Sequence, residues 1–273
     1  MNGTLINNNV LRLVLAFLAI PILIMFVWAF VSTNETENSL SLSGFQELLT
    51  PLRAGELFTI IQRAFLIATI ASLLSFLISY LLVIHSSPYF QTIFYFLITL
   101  PFLVNESVRV FSWQYVLAEN GLFNTILSGV FGKSIQLFNG SNNFNIYIIM
   151  LVACMPFGVF INSASLKIIP DIYWKVSNDL NISPINRFFK VALPISKFSL
   201  LASFIIVFFV AFYLSSEVNM LGGDTKISLR NLILSFMTAS KFQAIFSLGC
   251  LMLLLHFLIT FIQKTASSHK KTQ

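Results

Sequence analysis

Five long runs without a charged residue constrain this chain more than any other feature of its sequence. Each has the length, about 20 residues, that an α-helix needs to cross the hydrocarbon core of a bilayer. The runs are Leu13–Val31, Ala64–Ile84, Ile146–Leu166, Phe198–Ser216 and Phe242–Ile262. A sixth apolar stretch, Thr92–Val104, is shorter, and we expect it to continue as one helix through Asn105 and Glu106 toward Val116.

Composition agrees with a chain that lies largely in lipid. Of its 273 residues, 57% are apolar and only 10% are charged, whereas soluble domains have about 45–50% apolar and about 25% charged residues. In a bilayer, backbone groups must be hydrogen-bonded within the protein, so the apolar runs are expected to be helices. The sequence therefore predicts an all-α polytopic membrane protein with six transmembrane helices, forming a single domain over residues 1–273, and it excludes a soluble enzyme.

The distribution of Lys and Arg orients the predicted spans. The segment between the fourth and fifth spans is basic, and so is the C-terminal tail, whereas four Glu, together with Arg53, follow the first span. The basic residues are Lys167, Lys175, Arg187, Lys190, Lys197, Lys264, Lys270 and Lys271. Because short basic loops remain on the cytoplasmic side, we expect residues 167–197 and both termini to be cytoplasmic.

Motifs for bound phosphate or metal are incomplete in this sequence. Gly132-Lys133-Ser134 resembles the end of a phosphate loop, but that loop requires Gly at position 127, where the chain has Leu127. His256 has no second His or Cys three or four residues away to complete a metal pair. We therefore expect no catalytic residue, no metal, no cofactor and no nucleic-acid partner.

The predicted cytoplasmic segment has the features of two short helices. Asn181 is a residue type that ends helices in the left-handed conformation, and Ser183 and Pro184 suit the cap and first position of a second helix. We expect this second helix to expose two aromatic side chains beside two basic ones, namely Phe188, Phe189, Arg187 and Lys190. Such a hairpin suits a groove on a partner protein, and the alternative is a helix lying on the inner leaflet.

This segment resembles the signature loop of the permease subunits of binding-protein-dependent ABC importers. That loop runs Glu-Ala-Ala, then Asp-Leu-Gly-Ala-Ser, then a Phe and a closing Leu-Pro. The matching residues here are Asp179, Leu180, Ser183, Phe188, Leu193 and Pro194. Lys175-Val176-Ser177 takes the place of Glu-Ala-Ala, and Asn181 that of Gly. The resemblance implies the type I ABC importer permease fold in a bacterial inner membrane.

Further motifs are similar to those of the spermidine/putrescine permease branch. They are Leu100-Pro101-Phe102 with Asn105 through Trp113, Asn120-Gly121-Leu122-Phe123-Asn124, and Leu221-Gly222-Gly223 with Asn231-Leu232-Ile233. The resemblance implies ATP-driven import of a small cationic solute of the polyamine class. It also implies the partners: two ABC ATPase subunits, a second related permease, an extracytoplasmic solute-binding protein and membrane lipid.

The expected site residues fall into two groups. A long cation needs acceptors and aromatic faces along its path, and the candidates are Asn105, Glu106, Trp113, Tyr213 and Glu217. The ATPase-coupling residues are Lys175, Asp179, Leu180, Asn181, Ser183, Arg187, Phe188, Phe189, Leu193 and Pro194. In this hypothesis Phe188 or Phe189 inserts in a groove of the ATPase, and Lys175 meets an acid on it. The alternatives are another solute of the same transporter class, an ion-coupled secondary carrier and a membrane scaffold.

Overall fold

The computed structural model describes residues 8–34, 37–131, 143–214, 219 and 227–268, and nearly all of them are helical. The helices are α1 Asn8–Phe30, α2 Ser43–Leu48, α3 Pro51–His85, α4 Pro88–Leu103, α5 Glu106–Val116, α6 Leu122–Phe131, α7 Asn143–Ile168, α8 Asp171–Asp179, α9 Pro184–Arg187, α10 Leu193–Ile195, α11 Lys197–Tyr213, α12 Leu229–Thr238 and α13 Phe242–Ser268. A π-helical turn, Phe188–Ala192, joins α9 to α10.

The spans agree with the predicted all-α membrane fold. Helices α1, α3, α7 and α13 are each long and apolar enough to cross a bilayer. Two further pairs pass the same test together, although each is bent: α4 with α5 by 104°, and Pro184–Ile195 with α11 by 75°. The described residues therefore hold six spans when each bent pair is counted as one.

The expectation of one continuous helix from Thr92 to Val116 is wrong. Helix α4 ends at Leu103, Val104 is extended with ψ 137°, and the side chain of Asn105 accepts a hydrogen bond from Ser107 N at 2.9 Å. This is the geometry of an N-cap, which starts a new helix in a new direction. The apolar run stops at Val104 and is followed by Asn105-Glu106-Ser107, so the capping residue Asn105 was a sequence signal for this break.

The chain folds as two compact units, and the first comprises Met1–Leu57 and Leu232–Thr265. It contains a two-stranded antiparallel hairpin of β1 (Val31–Asn34) and β2 (Glu37–Leu40). The amide of Gln243 donates to Ala29 O at 3.3 Å and to Ser41 O at 2.8 Å. These bonds fasten the residues on either side of the hairpin to α13.

The second unit comprises Phe58–Asn231 and Ala266–Gln273. Within it α7 packs along α11, and Ser79 of α3 donates to Val159 O of α7 at 3.0 Å. Buried Asn162 of α7 donates to Ser75 Oγ of α3 at 3.3 Å and to Ser203 Oγ of α11 at 3.2 Å. The side-chain oxygen Oδ1 of Asn162 accepts a hydrogen bond from Ser199 Oγ at 3.2 Å. Small and hydroxylated residues let membrane helices approach closely and bond across their contacts, so this network fixes the three helices together.

Candidate functional site

The first arm of the hairpin between α7 and α11 is α8, which ends as the sequence predicts. Asn181 has φ 50°, Ile182 N donates to Ser177 O at 3.0 Å, and Asn181 N donates to Asn178 O at 2.9 Å. Together these bonds form a Schellman motif, in which a left-handed residue satisfies the last carbonyls of a helix. The helix stop at Asn181 is confirmed.

We predict that the residue at position 181 adjusts the stability of this turn. Asn181→Gly should stabilise the chain, because Gly adopts positive φ freely, whereas Asn181→Val should destabilise it by about 1–2 kcal/mol. The unfolding midpoint of the purified chain in detergent measures both effects. Asn178→Val is the control, because residue 178 is helical and Val and Asn have similar helix propensities. Equal midpoints for Asn181→Val and Asn178→Val would contradict the prediction.

The second arm starts at the predicted cap and then widens into the π-turn. Ser183 Oγ accepts from Asn186 N at 3.4 Å, and Pro184 occupies the first helical position. Leu193 N donates to Phe188 O, five residues earlier. Pro194 lacks an N–H and cannot take part in a regular ladder, and a single π-turn accommodates this defect. Leu193 and Pro194, which match the closing Leu-Pro of the signature loop, thus shape the end of the hairpin.

The inner face of the hairpin packs on the ends of α3 and α7. The ring of Phe188 lies 5.5 Å from that of Phe76 and 5.0 Å from that of Tyr80, both edge-to-face. Tyr80 also donates to Pro184 O at 3.3 Å, and Trp174 of α8 packs against the same cluster. Phe188 was expected to be exposed, but it is half-buried, because its ring packs against this intramolecular cluster.

The outer face of α8 and its C-cap residue carry an apolar stripe, of which the sequence analysis predicted only Leu180. Its members are Ile172, Tyr173, Val176 and Leu180, which are 59%, 50%, 46% and 68% exposed. Three of them are spaced i, i+4 and i+8, so they lie on one side of the helix. This spacing was the signal that could have identified them. The exposed residues Lys175 and Asp179 lie on the same short helix, so the stripe is bordered by charge.

The remaining predicted coupling residues occupy different surroundings. Phe189 is 59% exposed and lines an apolar groove beside α3. Arg187 is half-buried, and its Nη2 donates to Ile182 O at 3.4 Å. Leu193 packs against the inner cluster, whereas Pro194 is exposed. The structure therefore divides the predicted set into an inner group that holds the hairpin and an outer group that is available to a partner.

The predicted solute path is described only in part. Glu106 and Trp113 are seven residues apart on α5 and share one side of that helix, while Asn105 serves as its cap. Tyr213 is 54% exposed at the end of α11, and Glu217 lies outside the described residues. The structure thus places Glu106 and Trp113 on one helix, and it does not describe Glu217.

Sequence reasoning also missed a buried basic residue, Arg63. It lies in α3, is only 6% exposed, and donates to Ile227 O at 3.1 Å. A cation at such a position is costly unless it is hydrogen-bonded. Arg63 therefore joins α3 to the segment that precedes α12. The sequence feature that could have identified Arg63 was its position directly before the uncharged run that begins at Ala64.

The phosphate and metal patterns gain no support from the described residues. Gly129 lies within helix α6, while Gly132, Lys133 and Ser134 lie outside the described part of the chain. In that part, no three His, Cys, Asp or Glu side chains come together as a metal site.

Comparison with known proteins gives three findings. The family model for "Binding-protein-dependent transport system inner membrane component" matches residues 87–270. The spermidine/putrescine transport system permease protein PotB of Haemophilus influenzae is 22% identical over 288 aligned positions, which cover 98% of this chain and 99% of that protein. A solved bacterial ABC transporter involved in the import of the acidic polysaccharide alginate has a chain with a TM-score of 0.69 and 11% identity, covering 96% of this chain and 93% of that one.

Proposed function

Because the chain belongs to the family of binding-protein-dependent transport system inner membrane components, we propose that it is the permease subunit that moves a polyamine into the cytoplasm in an ATP-driven importer. Membership itself makes the chain a multi-pass transport subunit of the inner membrane and not an enzyme. It also implies an ATPase and a solute-binding protein as partners. The alternative of an ion-coupled secondary carrier is set aside, because the family depends on binding proteins.

The near full-length alignment with a spermidine/putrescine permease is the observation that carries the polyamine proposal. The exposed carboxylate of Glu106 and the half-buried indole of Trp113 on α5 support it, since carboxylates and aromatic faces attract alkylammonium groups. The likeness to the alginate importer concerns the fold alone.

We propose that the outer face of the hairpin is the surface that an ATPase subunit contacts. The stripe of Ile172, Tyr173, Val176 and Leu180 is apolar and exposed, and Lys175 lies on the same helix, where an acid on the ATPase would complement it. In the proposed assembly two ATPase chains serve this permease and a second, related one. The inner face, through Phe188, passes movement of the hairpin to α3.

The proposed orientation puts the hairpin and both termini in the cytoplasm. The basic residues of segment 167–197 and of the C-terminal tail support it. A single cysteine placed at position 175 should react with a membrane-impermeant reagent in inverted vesicles only. Labelling of that cysteine in intact cells would overturn the orientation.

Uptake of radiolabelled spermidine tests the solute proposal. Glu106→Gln and Glu217→Gln together should lower uptake, and solute-stimulated ATPase activity, by at least about tenfold, because a hydrogen bond to a charged group contributes about 1.5–3 kcal/mol. Glu119→Gln is the matched control, because Glu119 is an exposed acid outside the predicted path. Equal uptake by the double variant and the control would refute the path. Transport of a sugar or an anion instead of spermidine would refute the solute class.

A further inference from the structure

An apolar groove runs along the side of α3 in the second unit. It has a volume of about 510 Å³ and is lined on α3 by Leu73, Leu77 and Leu81, and on the hairpin by Ile185 and Phe189. From Leu73 to His85 the helix rises about 18 Å, which is close to half of the hydrocarbon thickness of about 30 Å. The groove therefore has the length and polarity of a site for an acyl chain.

A polar cavity of about 440 Å³ lies at the end of the same helix. Three basic side chains line it, namely His85, Lys167 and Arg187, together with one acid, Asp171. Neither Lys167 nor Arg187 forms an ion pair with a carboxylate of the described residues. The cavity thus has an excess of positive charge.

Lys167 and Arg187 have contacts other than a carboxylate in the described part of the chain. The Lys167 ammonium lies 5.0 Å from the centroid of the Tyr95 ring. The Nε of Arg187 is buried, and no hydrogen-bond acceptor for it exists among the described residues. The Arg187 side chain as a whole lines the cavity, so its positive charge would attract an anionic group placed there.

The groove and the cavity adjoin each other, since His85 lines both and the consecutive residues Arg187 and Phe188 line one each. We propose that together they bind one anionic phospholipid, with its phosphate between Lys167 and Arg187 and its acyl chains along Leu77 and Leu81. A lipid of this class unites the negative charge and the long apolar tail that the two cavities require. The proposed orientation decides only in which leaflet this lipid lies. The lipid proposal does not depend on which solute is transported.

The position in the fold fits a lipid at the membrane surface. Helix α3 ends at His85, α4 begins at Pro88 and α7 ends at Ile168, so three helix ends that belong to spans meet at the cavity. Anionic lipids attract basic residues placed at this depth. Bound there, the lipid would contact both arms of the hairpin and the end of α3.

Native mass spectrometry of the purified full chain, titrated with phosphatidylglycerol, tests the proposal. Lys167→Gln with Arg187→Gln should weaken binding by about tenfold or more, since each basic group adds to the attraction of an anionic lipid. Leu77→Trp, which fills the groove and leaves the charges in place, should weaken it independently. Lys175→Gln is the control, because Lys175 is exposed and lines neither cavity, and it should bind as the unaltered chain does.

Each further outcome decides the proposal. Preferential binding of phosphatidylglycerol over phosphatidylcholine would support it. Equal affinity of the double variant and the Lys175→Gln control would overturn it. Displacement of the lipid by inorganic phosphate would also overturn it, since the cavity would then take a free anion. Absence of the lipid from the assembled transporter would overturn it as well, since a partner chain would then cover the groove. Spermidine uptake is measured separately, so failure of the solute proposal would leave the lipid result unchanged.

Discussion

Ile172→Gln combined with Leu180→Gln is expected to abolish solute uptake while the chain still inserts in the membrane. Both side chains are largely exposed on the apolar stripe of α8, and burying a Leu or Ile in an interface contributes about 1.5–3 kcal/mol. Loss of both should weaken ATPase binding by about a hundredfold or more. Gln at position 172 preserves the helix, because its helix propensity is at least that of Ile, and Leu180 lies just beyond the end of α8. Copurification of the ATPase with the tagged permease, together with uptake, measures the effect.

The matched control is Ile185→Gln on the other arm of the hairpin. Ile185 is 71% exposed, so the substitution removes a similar apolar side chain from a similar environment. It lies on the groove beside α3 and not on the stripe, and the ATPase should remain bound. Retention of the ATPase by the Ile172 and Leu180 double variant would refute the docking surface. Loss of the ATPase from the Ile185 variant would show that the surface extends to the second arm.

Features that depend on local chemistry were predictable from the sequence. The apolar runs located the spans, because the length of a helix in lipid is set by bilayer thickness. Asn181 and Ser183 marked the end of one helix and the start of the next, since a positive φ and a capping hydroxyl are properties of those residues themselves. Both appear in the structure at the predicted positions.

Features that depend on tertiary contacts were not predictable in the same way. The sequence placed Phe188 and Phe189 side by side on one helix, and nothing local distinguishes them. The structure packs Phe188 against Phe76 and Tyr80, which lie more than 100 residues earlier in the chain, and leaves Phe189 exposed. The break at Val104, by contrast, had a local signal, because Asn105 is a favoured N-cap residue.

The two faces of the hairpin have distinct roles in the proposed mechanism. Exposed residues of α8 provide the contact with another chain, whereas Phe188 and Trp174 attach the hairpin to the core of the second unit. A close-packed core transmits displacement because it has little free volume. Movement of the hairpin would therefore reach α3 and α7 directly, and from there the serine and asparagine network around Asn162.

The largest loss of stability is expected from Gly158→Val, with a smaller loss from Gly158→Ala. A Cβ at position 158 would lie 2.8 Å from Ser75 Cβ and 3.7 Å from Val207 Cγ2, so α3 and α7 would have to separate. Overpacking of this kind costs about 1–3 kcal/mol or more, and separation would also stretch the 3.3 Å bond from Asn162 to Ser75. The unfolding midpoint of the purified chain should fall for Ala and fall further for Val.

Gly55→Ala is the control in helix α3, because no atom lies within 4 Å of the added Cβ, and the gain in helix propensity of about 1 kcal/mol should maintain or raise the midpoint. If both Gly→Ala variants unfold at the same temperature, the close approach of α3 and α7 at Gly158 does not determine stability.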